Sequence, residues 1–166
     1  MSIQEFYNAA QKMEFARKFQ FRLRSLGPFT SDDLLYVETA TLPNKEIQNK
    51  PTPYMGLDFN VPGTVKFPGS DSWKVSFRCD EGLNIRNKME AWTKEIFDEV
   101  SSTGKYGVPI ELATMDLLGK NFETLRRYDF VGIYPRSVGE IEYDIKDDGE
   151  IVKVDCTFAY QYWRLV

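Results

Sequence analysis

The stretch 138–163, VGEIEYDIKDDGEIVKVDCTFAYQYW, carries two alternating apolar and polar runs around an Asp148-Gly149 step. A period of two dictates a strand with one buried face, and an Asp-Gly step between such runs is a strong short-range hairpin signal. Ile141, Tyr143 and Ile145 share one side of the first run; Val152, Val154, Cys156, Phe158, Tyr160 and Tyr162 share one side of the second. A two-residue turn would set Ile145 against Val152, Tyr143 against Val154 and Ile141 against Cys156, apolar on apolar at each step. On the other face the same register opposes Asp144 to Lys153 and Glu142 to Asp155. The second pair is unfavourable, so the acidic outer face of this predicted closing hairpin asks for a reason.

The rest of the chain extends the β reading. Phe19, Phe21 and Leu23 alternate with Lys18, Gln20, Arg22 and Arg24, predicting a strand over 18–26 that ends at Gly27-Pro28. The cations on its polar face are read as solvated or subunit-facing, because no aromatic side chain interleaves with them to stack on bases. A second strand is predicted over 34–42, ending at Pro43. Residues 43–56, PNKEIQNKPTPYMG, contain three prolines and little periodicity and read as an extended loop. Loops of this length in compact domains are functional or disordered. Ile47, Tyr54 and Met55 are the apolar side chains it offers for docking. Leu57, Phe59 and Val61 alternate with Asp58 and Asn60, and Pro62-Gly63 and Pro68-Gly69 read as turns. Trp73, Val75, Phe77 and Cys79 alternate with Lys74, Ser76 and Arg78 in a further strand.

After Asp80 the period changes. Ile85, Met89, Trp92, Ile96 and Val100 form the one-sided stripe of an amphipathic helix over 83–101, closed near Gly104. The stripe is read as core packing rather than a cofactor site. Strands follow near 110–117 and 125–134, the second stopped by Pro135. Residues 1–14 read as an arm or a short helix. The expected fold is therefore mainly β, an antiparallel sandwich or barrel-like structure with one flanking helix, in a single domain over 1–166.

The chemistry available is limited. The chain has no histidine, which removes the commonest general base and metal ligand. Its two cysteines, Cys79 and Cys156, are far apart and fall on apolar strand faces, so buried thiols are expected rather than a zinc site or a redox pair. No nucleotide-binding or nucleophile-elbow pattern occurs. Glu140 with Glu142 or Asp155 could form an acid/base pair, but alternating acids on a hairpin are read as a solvated face. No enzyme activity and no cofactor are expected. The charge balance, 21 Lys and Arg against 25 Asp and Glu, argues against a general nucleic-acid-binding surface. No signal-peptide pattern or membrane span is seen, and a soluble protein made in a reducing cytoplasm is expected.

Several phrases in their order resemble the tail tube proteins of contractile-tailed bacteriophages. They are Phe15-Ala16-Arg17, Thr39-Ala40-Thr41-Leu42-Pro43, Trp73-Lys74-Val75-Ser76-Phe77 and Ala91-Trp92. The run Gly132-Ile133-Tyr134-Pro135-Arg136-Ser137-Val138-Gly139-Glu140-Ile141 follows, then Asp148-Gly149-Glu150-Ile151 and Phe158-Ala159-Tyr160-Gln161-Tyr162-Trp163. The resemblance implies hexameric rings whose sheets join into a continuous inner β-barrel and which stack into a tube. It implies a virion tail component with sheath, tape-measure, baseplate initiator and tail terminator proteins as partners, and DNA passing through without specific binding. It makes 43–56 the contact to an adjacent ring, with Ile47, Pro51, Pro53, Tyr54 and Met55 as candidates, and the N-terminal segment a further inter-subunit element. Two sets compete for the lumen: Asp58, Asn60, Lys74, Ser76 and Arg78, or Glu140, Glu142, Asp144 and Asp155. The tube protein of a type VI secretion system or other contractile injection particle is a related alternative. A monomeric β-barrel binding a small ligand, with Trp73 and tyrosines lining its cavity, is the alternative from another class.

Overall fold

The computed structural model describes residues 2–166. Along the chain the elements are α1 (Ile3–Lys12), β1 (Phe21–Leu26), a 3₁₀ turn (Asp33–Tyr36), β2 (Val37–Ala40), β3 (Glu46–Tyr54), β4 (Leu57–Lys66) and β5 (Trp73–Arg78). Then come α2 (Asn84–Ile96), the short β6 (Phe97–Asp98) and β7 (Thr103–Gly104), β8 (Leu112–Leu118) and β9 (Thr124–Val131). The chain closes with β10 (Tyr134–Val138), β11 (Lys153–Ala159) and β12 (Tyr162–Leu165). Two four-stranded antiparallel sheets form a sandwich: sheet A in the order β1-β8-β9-β12 and sheet B in the order β10-β11-β5-β2.

The alternating residues supply the interior. Sheet A contributes Leu23, Ala113, Met115 and Phe130, and sheet B contributes Trp73, Val75, Phe77, Val154, Cys156 and Phe158, all buried in one cluster. Trp73 stacks on Phe130 at 4.5 Å between ring centroids, which joins the two sheets. Helix α2 adds Ile85, Met89 and Trp92 to this core, and Trp92 sits between Phe29 and Phe158. The start of α2 is fixed by Asp80, whose carboxylate accepts the backbone N–H of Asn84 at 2.9 Å. Cys79 and Cys156 are free thiols, and burial pushes the Cys156 thiol up to about 12. It is a small hydrophobic filler and not a nucleophile.

Close approach at Gly27 fixes the turn after β1. Its φ is +50°, and a Cβ there would lie 2.8 Å from Cζ2 of the buried Trp92. Gly27→Ala combines a left-handed backbone with overpacking against an indole that cannot swing away. A loss of about 2 kcal/mol is expected, read as a lowered denaturant midpoint with an unchanged m-value.

The structure corrects several sequence expectations. Residues 43–56 are not a loop: β3 occupies most of them and pairs with β4 along its length. Pro62-Gly63 accordingly lies inside β4 rather than in a turn. The predicted strand over 34–42 begins with a 3₁₀ turn, and the one over 18–26 starts at Phe21. Helix α2 ends at Ile96, and Val100 is exposed. There Asp98 accepts the N–H of Val100 at 3.0 Å, and a side chain that captures the backbone in this way competes with helix continuation. The run 125–134 is split at Gly132-Ile133 into β9 of sheet A and β10 of sheet B, with Pro135 inside β10 opposite Phe158. The segment 1–14, of which residue 1 lies outside the described residues, includes α1 as a second helix. Ser2 caps it reciprocally with Glu5.

The closing hairpin is the largest correction. The expected first strand through Ile141, Tyr143 and Ile145 does not form: β11 pairs with β10, Val138 opposite Cys156 and Tyr134 opposite Ala159, and 139–152 is an irregular connection. Tyr143 and Ile145 are exposed instead of facing Val154 and Val152. At the Asp-Gly step the Asp147 carboxylate accepts the N–H groups of Gly149 and Glu150, making a local turn in place of a ladder joint. The expected Glu142–Asp155 repulsion does not arise, since Asp155 is paired across to β5.

Candidate functional site

The β3–β4 hairpin stands outside the sandwich as its own two-stranded sheet. A two-residue turn at Met55-Gly56, with φ of 50° and 81°, joins the strands, the left-handed pair that matches strand twist. In this register Tyr54 and Leu57 form the hydrogen-bonded pair next to the turn. Alternation from there leaves Pro53 opposite Asp58, Pro51 opposite Asn60 and Asn49 opposite Pro62 at non-hydrogen-bonded positions. All three prolines therefore direct their missing N–H outward, where it breaks no ladder bond and blocks pairing on the hairpin's outer edges.

The two faces of the hairpin differ. One carries Tyr54, Leu57, Thr52, Phe59, Lys50 and Val61; the other carries the prolines with Asp58, Asn60 and Asn49. Asn49 donates to Asn60 across the second face at 2.9 Å. Leu57 is 59% exposed and Phe59 49% exposed. An isolated two-stranded hairpin is marginal in water, and this one shows its apolar strip to solvent. Its base is held by the C-terminal strand. Trp163 donates from Nε1 to the carbonyl of Asn44 at 3.2 Å, meets Phe67 edge-on at 6.1 Å and lies under the Lys45 ammonium at 5.6 Å.

The free face of sheet B is polar. Lys74, Ser76 and Arg78 alternate outward on β5, beside Asp155 and Thr157 on β11. Ser76 donates to the Asp155 carboxylate, and Lys74 pairs with it at 3.0 Å. The Ser76 hydroxyl first, then Lys74, hold the Asp155 carboxyl below its ordinary range. Lys153 pairs with Glu38 at 2.9 Å.

The free face of sheet A is an ionic array. Asp116 on β8 is fully buried and accepts from Arg127 at 2.9 Å and Arg22 at 3.1 Å, with Arg24 at 3.8 Å. In the next row Thr114 donates to Asp129 at 3.0 Å, and Arg164 lies 3.7 Å from the same carboxylate. From the sequence the arginines of β1 read as a solvated or subunit-facing stripe, and Asp116 carries no role. Their shared centre depends on the pairing of β1, β8 and β9, which no local pattern encodes.

Of the sequence-predicted site residues, Lys74, Ser76, Arg78 and Asp155 are brought together on sheet B. Asp58 and Asn60 lie on the hairpin, and Glu140, Glu142 and Asp144 lie in the connection 139–152. Ile47, Pro51, Pro53, Tyr54 and Met55 all belong to the hairpin or its turn. Sequence reading missed Leu57, Phe59 and Val61 as partners of Tyr54. Their alternation was visible, but only the pairing with β3 shows that they cover no core. Trp73 is packed in the core, which removes it from the cavity lining that a ligand-binding barrel would require.

Comparison with known proteins gives a consistent result. The sequence profile of a phage tail tube protein family matches residues 5–166. Tail tube protein gp19 of Enterobacteria phage T4 is 27% identical over 172 aligned residues, covering 99% of this chain and 100% of that protein. The gp19 of Enterobacteria phage T6 is 26% identical over the same coverage. Among solved structures, the anti-feeding prophage tube-terminating cap superposes with a TM-score of 0.65 at 14% identity, covering 93% of this chain and 92% of that one. A chain from the sheath-tube complex of an extracellular contractile injection system superposes with a TM-score of 0.63 at 14% identity, over 100% and 98% of the two chains.

Proposed function

Because this chain belongs to the phage tail tube protein family, we propose that it is the structural subunit of the inner tube of a contractile phage tail. Hexameric rings stack into a conduit for genome DNA. The observation that carries this reading is the β3–β4 hairpin, a long element outside the sandwich whose apolar strip stays exposed among the described residues. A heterologous contact between such a projection and another part of an identical copy repeats without end, which is the geometry of a rod. Tyr54 with Leu57, Phe59 and Val61 forms the contact to the adjacent ring. Ile47, Pro51, Pro53 and Met55 shape the hairpin's base, edge and tip. Helix α1, whose Ile3, Phe6 and Tyr7 are exposed, supplies a further inter-subunit surface.

Sheet B faces the lumen in this proposal. Its strand β2 leads into the hairpin and its strand β5 receives the chain back, so the projection continues the wall toward the next ring. Joining of sheets between copies would also remove the open edges at β2 and β10. Lys74, Ser76, Arg78 and Asp155 line the conduit. With Lys74 matched by Asp155 and Lys153 by Glu38, the face offers few unneutralised cations to DNA phosphates. Asp58 and Asn60 lie instead on the hairpin, and Glu140, Glu142 and Asp144 at the end of the sheet, so these five leave the lumen set. The arginine face of sheet A points outward, toward the sheath. Tape-measure, baseplate and terminator proteins complete the partners, the site of action is the virion tail, and the role is structural, without catalysis.

The tube of another contractile injection particle is the second reading, supported by the fold shared with such systems. Negative-stain microscopy of the purified full chain tests both against a monomeric ligand-binding barrel. Rings or rods of uniform width are expected. A strictly monomeric species at high concentration, also with a tube initiator added, would overturn the tube.

A further inference from the structure

The connection 139–152 is long for a join between neighbouring antiparallel strands, and such loops in compact domains carry function or lack order. Ile145 is 101% exposed, and Tyr143 and Ile151 are exposed too. Around them stand Glu140, Glu142, Asp144, Asp147, Asp148 and Glu150, with Lys146 as the one cation between.

Sheet B places this loop relative to the hairpin. Strand β5 begins at Trp73 opposite Phe158 and ends at Arg78 opposite Lys153. Strand β2 runs the other way, with Val37 opposite Phe77 and Ala40 opposite Val75. The hairpin follows Ala40 and precedes Trp73, so it leaves the sheet at that end. The loop follows Val138 and precedes Lys153, so it leaves at the opposite end. In a head-to-tail stack of identical copies, opposite ends of one sheet meet.

The two protrusions also match chemically. The hairpin's apolar strip of Tyr54, Leu57, Phe59 and Val61 includes one cation, Lys50, paired with Val61. The loop offers exposed apolar side chains set among carboxylates. We propose that loop 139–152 is the receptor for the β3–β4 hairpin of a neighbouring copy. Tyr143 and Ile145 cover the strip, and Glu142 and Asp144 meet Lys50. This inference rests on the stacked-tube reading and names the partner surface within it.

Charge reversal across the contact tests it, with rod yield measured by sedimentation and negative-stain microscopy of the full chain. Lys50→Glu alone and the pair Glu142→Lys with Asp144→Lys alone are each expected to lower rod yield about tenfold. The three substitutions together are expected to restore it to within about twofold of the wild type. Thermal melts should be unchanged throughout, because all three side chains are exposed. A triple variant no better than the poorer parent, or loop reversal without effect, would overturn the receptor assignment while leaving the tube intact. A wild type that never forms rods would overturn both.

Discussion

Replacing Leu57 and Phe59 together with aspartate is expected to abolish rods at concentrations where the wild type assembles fully. Both side chains belong to the hairpin face that stays largely open to solvent among the described residues. Fully burying a residue of this kind is favourable by about 1.5–3 kcal/mol, and each already hides roughly half of its surface, so about 1 kcal/mol per side chain is at stake. Two carboxylates left in an apolar contact, with acidic residues expected opposite, add a larger penalty from desolvation and like-charge repulsion. The combined loss of about 4 kcal/mol corresponds to roughly a thousandfold in each contact. Subunit folding should survive, since the sandwich core contains neither residue. Sedimentation velocity together with a circular-dichroism melt separates the outcomes. Undiminished rods would remove the hairpin from the ring contact, and an unfolded subunit would show that the strip belongs to the subunit's own stability.

The second large effect concerns Asp116. Burial by itself would raise its pKa, but hydrogen bonds and charge from Arg127 and Arg22 outweigh burial and hold it below the ordinary carboxylate value. A group whose folded pKa is depressed contributes stability above its unfolded pKa, near 4, and loses that contribution as the pH falls through the folded value. Asp116→Asn should therefore be less stable than the wild type at neutral pH, with the difference shrinking to nothing in strong acid. Breaking a buried pair costs about 3–5 kcal/mol. Arg22 is 51% and Arg127 35% exposed, so water replaces part of what they lose, and about 2 kcal/mol is expected. Denaturant titrations from pH 7 down to pH 3 measure this. A difference that does not change with pH would mean that the carboxylate acts through packing and not through charge.

Much of the fold was legible because burial is local in period. Trp73–Arg78 was read with its faces correct, and the structure alternates buried and outward residues there as the sequence does. The same holds for Val154, Cys156 and Phe158 on β11. The stripe of α2 was correct through Ile96 and failed at Val100, where Asp98 and the β6–β7 pair take over the backbone. The errors share one origin, the identity of the partner strand. Three prolines argued for a loop over 43–56, yet the two that fall within β3, Pro51 and Pro53, point their missing N–H away from the ladder in the observed register. Asp148-Gly149 argued for a tight hairpin, yet β11 is fixed by β5, with Val154 opposite Phe77 and Cys156 opposite Val75. Packing on both sheet neighbours outweighs the preference of one turn.

By itself, then, the sequence determined which side chains are apolar at which period, hence most of the core strands, helix α2 through Ile96, the lack of any histidine and the family phrases. The tertiary structure decided what those elements face. It gathered Arg22, Asp116 and Arg127 from three strands into one row and left Leu57 and Phe59 outside the core and about half exposed. It also sent the hairpin and the acidic loop out of opposite ends of sheet B. The reason is physical: periodicity reports on a residue's own few neighbours, whereas register and sheet direction are set by contacts across the whole chain. A surface for assembly is what those long-range contacts leave uncovered.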